Sequence, residues 1–541
     1  GNNYVNITNC VFDNNTGVRG GALRSETGAN DVNVIGCNFT NNTARNHGGV
    51  VCLYSKYALF ENCLFEDNVG SFSGAIHAHS SGSVINNCTF IHNVADNSAP
   101  YDGDRYGTGY GGAVSLLYKD DGGFIINNSH FYNNSAVKYG AAIEINGSGS
   151  NAQILNCDFE NNSAAYGGAI RINGQNTIVD NCTFKNNTAT ANGSAYTGYG
   201  GAVSINGSNT VIKNSTFIEN SAIGNDTDYT GYGGAIEVTG SNTRILDSNF
   251  INNSATATEG GPEFTGFGGA VSITGRDTLI SNSNFTDNSA TQYGGAIDIE
   301  GFHTNITDSR IEGSTAHFGG GINCEGDNAT ISNTVLNNNN ATGATGSEDS
   351  HGGSIVVYGT NTHITNTTVA NSTSINGGGV YIEGNNTVIT DSTIYNNNAT
   401  VNGGGVYIYG DNTTITKSTF ELNNAIPDEG AMDDGLGGAI FISTDRRATN
   451  NTYIGDSNFT HNTARNGSAI YVTPTVEANN CTIIEGCNFT ENQAWSYWLP
   501  IFIDEVAGTI ETNLTGGNNI INAIYNNASF SSICIDGQNP V

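Results

Sequence analysis

Among the 541 residues of this chain, the ones first able to do chemistry are carboxylates set close together in glycine- and asparagine-rich stretches. Asp102 with Asp104, and Asp226 with Asp228, offer the hard oxygens that Ca²⁺ gathers, six to eight to an ion. These four are the candidates for a metal, although neither pair has EF-hand or nonapeptide spacing. Glu259 and Glu263, Glu348 and Asp349, Asp428 and Glu429, and Asp433 and Asp434 repeat the pattern, and solvated acidic loops explain them as simply. His77 and His79 stand one residue apart, so a strand would project both imidazoles to one side. Without a third ligand they fall short of a zinc site, and an inert pair is the plainer reading. No cofactor is implied elsewhere.

The elements that position these residues are legible in a repeat. From Tyr166 one unit reads YGGAIRINGQNTIVDNCTFKNNTA, and it recurs with edits along the whole chain. A large apolar marker sets the register: Phe12, Phe39, Phe65, Phe90, Phe131, Phe159, Phe184, Phe217, Phe250 and Phe285, then Ile311, Leu336, Val369, Ile394, Phe420, Phe459, Phe489 and Ile520. Apolar residues alternate with period two in three short runs separated by Gly or Asn, and no 3.6-residue period is present. The pattern predicts an all-β fold, a right-handed single-stranded parallel β-helix of about 18 coils, roughly 85 Å long at ~4.8 Å per coil. One domain is expected over 1–541, with a degenerate coil region at 490–541. Gly supplies positive φ before the first run, and Asn14, Asn41, Asn161, Asn186 and Asn252 are read as a stacked turn ladder. Cys10, Cys37, Cys63, Cys88, Cys157, Cys182 and Cys487 share one inward slot, which Ser215, Ser248 and Ser283 occupy in other repeats. That slot asks for a small side chain, so a buried thiol ladder is expected in preference to disulfides.

Insertions nearly all fall between the NxA turn and the GGA run, as at 97–109, 192–198, 225–231, 258–266, 343–350 and 428–436, so one edge carries a row of loops. In the GGA-I-x-I run the residue between the two aliphatics points away from the core. At successive repeats it is Tyr381, Tyr407, Phe441, Tyr471 and Phe502, which predicts an exposed aromatic stripe able to stack on sugar rings or on another protein. A stabilising surface ladder is the competing explanation.

The formal net charge of −32, from 17 Lys+Arg against 49 Asp+Glu, repels phosphate backbones and anionic lipid, which disfavours nucleic acid and membrane surfaces as partners. No apolar run is long enough to cross a membrane and no signal peptide begins the chain, so export would rest on segments outside this sequence. Export is nevertheless expected. The chain has 32 Asn-x-Ser/Thr sequons, and Asn41, Asn133, Asn186, Asn252, Asn385 and Asn458 are glycosylation candidates.

The linked GGA(I/V/L) and FxxN motifs resemble the repeats of the chlamydial polymorphic outer-membrane proteins. In their Asn/Thr-rich form they are more similar to the adhesin-like surface proteins of methanogenic archaea. The resemblance implies a non-catalytic, extracellular, adhesin-like rod at the cell surface that contacts a glycan or protein of another cell, or neighbouring copies of itself. Both ends of the chain stop at the same phase of the repeat, which makes a head-to-tail filament or sheath subunit the first alternative. A polysaccharide-degrading enzyme is the second. The pairs Asp120 and Asp121, and Asp433 and Asp434, lack the Gly-His-Gly and Arg-x-Lys that accompany paired Asp in polygalacturonases.

Overall fold

The computed structural model describes residues 4–26, 31–45, 49–79, 82–96, 109–117, 123–147, 150–191, 198–225, 230–256, 265–343, 349–427, 434–443, 451–473, 482–494, 501–503 and 524–526. Asp102, Asp104, Asp226, Asp228, Asp120, Asp121, Cys481 and Cys534 lie outside these residues, as do the side chain of Phe502 and most of the 490–541 region. The chain divides into two compact units, Gly1–Asn284 and Phe285–Val541. Each is a right-handed parallel β-helix.

In the first unit a representative rung consists of Ile170–Ile172, Ile178–Asp180, Thr183–Lys185 and Thr188–Thr190. Each strand pairs in parallel, without a slip, with its equivalent in the next rung: Ile170 with Val203, Ile178 with Val211, Thr183 with Thr216 and Thr188 with Ser221. There are therefore four runs per rung where the periodicity predicted three. The fourth was hidden in the NxA turn because it is only two or three residues long and points a small Ala inward, as at Ala189 and Ala222.

Corners follow from residue chemistry. Asn176, Asn181 and Asn186 have φ of 56°, 54° and 52°, five residues apart, so three corners of the rung are turned by left-handed residues. Asn adopts that conformation at low cost, which accounts for the bias in composition. Before the GGA strand the turn needs two glycines for different reasons. Gly200 has φ +66°, whereas a Cβ on Gly201 would lie 1.9 Å from the carbonyl oxygen of Gly234 in the next rung.

The NN doublets divide their labour. The first Asn is exposed and joins the expected turn ladder, with Asn186 Nδ2 donating to Asn161 Oδ1 at 2.6 Å. The second forms a buried column. Asn187 Nδ2 donates to Asn220 Oδ1 at 3.0 Å and to the Phe159 carbonyl at 3.0 Å, and Asn162, Asn220 and Asn134 repeat the arrangement. Inside, the marker phenylalanines stack flat. Phe159, Phe184 and Phe217 are fully buried, with ring centroids 4.8 and 4.7 Å apart.

The second unit is built the same way. Val380–Ile382, Val388–Thr390, Thr393–Tyr395 and Asn398–Asn402 pair with Val406–Ile408, Thr414–Thr416, Thr419–Glu421 and Asn424–Ala425. Its marker column is aliphatic from Ile311 through Leu336 and Val369 to Ile394. Stacked Phe returns at Phe420, Phe459 and Phe489.

The cysteine slot is as expected: among the described residues the cysteines are unbridged, and all but Cys10 are buried. Cys182 Sγ lies 3.3 Å from the Asp180 carbonyl, and in the next rung Ser215 Oγ donates to the Lys213 carbonyl in the same way. Cys182→Ser is therefore expected to change stability by no more than about 1 kcal/mol in urea denaturation. Cys182→Leu overfills the slot and should cost roughly 1–3 kcal/mol. A serine variant as damaging as the leucine variant would show that the sulfur itself matters.

Candidate functional site

The outward residues of the GGA strands are the natural place for a site, and the structure changes their meaning. In the second unit Tyr381, Tyr407, Phe441 and Tyr471 do fall in register, and Phe502 follows at the backbone level. Their rings stack at 5.0, 4.7 and 5.6 Å. They are not exposed. Tyr381, Phe441 and Tyr471 are only 7, 4 and 4% accessible, and Tyr407 is half-buried. The expected exposed stripe is thus an inner layer. A second row, whose members sit five residues earlier on the far side of a left-handed glycine, packs over it: Phe318 joins the cluster that holds Val356 and Tyr381, and Leu436 packs against the cluster of Phe441 and Tyr471. His351 lies flat on Tyr381 at 4.1 Å, and burial depresses its imidazole pKa.

The first unit has the same two layers with different chemistry. Its inner row contains Ser115, Glu144, Arg171, Ser204, Glu237 and Ser272 in consecutive rungs, and its outer row is Tyr110, Tyr139, Tyr166, Tyr199 and Tyr232, closing on Phe267. The tyrosine ring centroids are 4.9, 5.1, 5.4 and 5.1 Å apart and are tilted or edge-on to one another, between 47° and 62°. All five tyrosines are half-buried. Their backbones bridge in parallel at every rung, so the ladder is as regular as the sheets beneath it.

Under this row lies a compact charge array. Arg171 Nη1 meets Glu144 Oε1 at 3.3 Å, and the Arg171 guanidinium stacks 3.9 Å from the Tyr139 ring centroid and 5.8 Å from that of Tyr166. Ser204 Oγ donates to Glu237 Oε2 at 2.8 Å. Two carboxyls and one guanidinium therefore share an enclosed row. Burial pushes the Glu144 carboxyl up to about 7 against the pull of Arg171. It does the same at Glu237, also to about 7, against the hydrogen bond from Ser204 and the charge of Arg171. Among the described residues Glu144 Oε2, Arg171 Nε, Ser115 Oγ and Ser272 Oγ have no hydrogen-bond partner. Burial also raises the phenols of Tyr110 and Tyr166, with neighbouring Tyr139 adding to it, so both stay protonated donors.

The carboxyls do not make a hydrolytic pair. Three rungs separate Glu144 from Glu237, about 14 Å at the usual strand spacing, beyond the ~5–9.5 Å at which two carboxyls flank a glycosidic bond.

The remaining sequence candidates fall as follows. His77 is buried, and its Nε2 lies 2.7 Å from His79 Nε2, so the two imidazoles engage each other. No group of three or more His, Cys, Asp or Glu suited to a metal ion occurs among the described residues. Asn41, Asn133, Asn186 and Asn252 are exposed at left-handed corners, Asn458 is exposed on a strand, and Asn385 is half-buried and accepts the Asp411 amide. No helix among the described residues is long and apolar enough to cross a membrane.

Strand alternation places Arg171, Glu144 and Glu237 outward but does not show that a second layer covers them. None of Tyr110, Tyr139, Tyr166, Tyr199 and Tyr232 is among the site residues expected from the sequence. The signal was available: Tyr precedes GG-A or GA-A at five successive repeats, and Glu and Arg occupy equivalent positions in adjacent ones.

The family model described as right handed beta helix region matches residues 108–265. The Chlamydia polymorphic membrane protein repeat matches residues 282–300. A metabotropic glutamate receptor-like protein R of Dictyostelium discoideum is 30% identical over 153 residues, which is 28% of this chain and 8% of that protein, so the similarity spans a small part of the relative's length. Among solved structures, the periplasmic alginate epimerase AlgG aligns over 76% of this chain and 77% of its own, with 12% identity and a TM-score of 0.37. An alginate lyase, AlyF-OU02, aligns over 79% of this chain and 81% of its own, with 12% identity and a TM-score of 0.31.

Proposed function

We propose that this chain is the display part of an extracellular, adhesin-like surface protein, non-catalytic, whose contact surface is the tyrosine ladder of the first unit. The observation that carries the reading is the run of five half-buried tyrosines in consecutive rungs. The expected insertions 97–109, 192–198 and 225–231 end on or next to Tyr110, Tyr199 and Tyr232, so the ladder lies at the foot of the loop-bearing edge. Rings held at both backbone and face lose little freedom when a partner covers them, which favours their use as a contact. The acidic balance of the chain turns that contact toward glycans and proteins without a strong negative charge. The chlamydial-type repeat at 282–300 supports a surface protein. The Asn/Thr-rich form of the repeat, with its many sequons, extends the reading to a glycosylated protein of the archaeal kind.

Binding of the purified chain to a glycan array and to intact cells tests this, with Tyr139→Ala/Tyr199→Ala set beside Tyr381→Ala/Phe441→Ala. Loss of binding is expected only with the first pair. The second pair lies in the inner layer and should lower the melting temperature instead. Binding that survives the first pair would remove the ladder from the proposal, and an absence of binding to every glycan and cell surface would remove the adhesin reading.

A further inference from the structure

The ladder is a one-dimensional lattice, and its period restricts what can lie along it. Ring centroids from Tyr110 to Tyr232 recur every 4.9 to 5.4 Å, each with the same backbone register. A β-strand laid parallel to the stacking direction advances about 3.3 Å per residue, or about 6.6 Å between side chains on one face. A polyproline II segment advances about 3.1 Å per residue. The strand is out of step with the rings within two rungs, and the polyproline II segment, which repeats a face every three residues or about 9.3 Å, meets at most every second ring. An extended β-1,4-linked polysaccharide rises by one sugar over close to one rung, so although successive sugars are turned by half a rotation, each can lay one ring face on its own tyrosine.

Three further features select the kind of glycan. The phenols of Tyr110 and Tyr166 are held protonated, and a sugar hydroxyl both accepts from and donates to such a group. The rings are tilted instead of packed flat, which leaves part of each face beside its hydroxyl edge, as suits the mixed apolar and hydroxylated surface of a pyranose. The net charge of −32 opposes polyuronates and sulfated or phosphorylated chains. Arg171, the cation of the row, is engaged by Glu144 and by two rings.

We propose that the tyrosine ladder of the first unit binds a linear, uncharged 1,4-linked polysaccharide lying parallel to the stacking direction, one sugar to a rung. This rests on the ladder being the contact surface and adds the class and orientation of its ligand.

The experiment is a length series. Oligomers of β-1,4-linked glucose and of β-1,4-linked N-acetylglucosamine, two to eight sugars long, are titrated calorimetrically into the full chain, beside a polyuronate series of the same lengths. Affinity for at least one neutral series should rise with every added sugar up to five or six and then level off. Tyr166→Phe, which keeps the ring, should weaken the hexamer modestly. Tyr166→Ala, in the middle of the ladder, should weaken it roughly twofold to tenfold more, with circular dichroism unchanged. Tyr110→Ala, at one end, should affect the longest oligomers only.

Affinity independent of length, preference for the polyuronates, or equal loss from the middle and end variants would overturn the proposal. If no oligomer binds while cell binding remains sensitive to Tyr139→Ala/Tyr199→Ala, the ladder contacts a protein and this inference alone fails. If cell and glycan binding are both absent, the adhesin reading fails with it.

Discussion

Replacing Arg171 by Met should cost the protein about 3–5 kcal/mol near pH 8, the usual penalty for stripping one partner from a buried ion pair, and much less near pH 5. Glu144 is wholly buried and Arg171 is its cation, at 3.3 Å. The sign follows from the direction of the pKa shift. Glu144 and Glu237 each move from 4.5 in the unfolded chain to about 7 when folded, chiefly through burial. The folded state therefore favours the protonated acid. That contribution is fully present below pH 4.5 and is lost as pH rises through 7. A shift of this size corresponds to roughly 3 kcal/mol per carboxyl. Without the guanidinium the carboxyl of Glu144 should move higher still, so the variant and the parent converge where both hold Glu144 neutral. Urea denaturation at pH 5 and pH 8 measures the difference. In the parent, stability should fall across this range, and Glu144→Gln/Glu237→Gln should remove most of the fall. An Arg171→Met penalty that is the same at both pH values would refute the account.

Phe184→Ala is expected to lose about 3–5 kcal/mol, at the upper end of the range for core truncations. The ring is fully buried between Phe159 and Phe217 at 4.8 and 4.7 Å, and it lies flat against both. The cavity cannot close, because the rungs above and below are held at strand spacing by four parallel ladders. Phe184→Leu should cost no more than about 1.5 kcal/mol, since Leu336 and Ile394 fill the equivalent slot in the second unit without loss of register. Equal midpoints in urea for the Ala and Leu variants would show that the stacked column does not support the rung.

The contrast between these two sites marks how much of the molecule can be read from sequence. Phe184 was identifiable because its slot recurs with period two inside a strand and its neighbours repeat it, so inward direction and large volume together determine its environment. The cysteine slot was legible for the same reason. Alternation also places Arg171, Glu144 and Tyr381 outward, and that much is right. It says only that a side chain leaves the core, however, and not whether a second layer covers it. The cover comes from residues five positions earlier, folded back at glycines such as Gly167, with φ +60°. Recognising it needs the turn geometry as well as the strand period. The fourth strand was missed for a related reason: with two residues, as at Ser163–Ala164, it is too short to show a period.

The buried asparagine column of the first unit has one more consequence. Every amide in it hands its N–H to the later rung and turns its oxygen toward the earlier one, from Asn42 to Asn68, Asn93 and Asn134. Dipoles joined in that way reinforce one another, so the column has a polarity, and reversing one amide sets two donors, or two acceptors, face to face. An engineered copy could therefore be lengthened or shortened only by whole repeats inserted in the native orientation. A grafted rung that brings no amide to this position would interrupt the column at that point, as Ser314 and Ser372 do in the second unit.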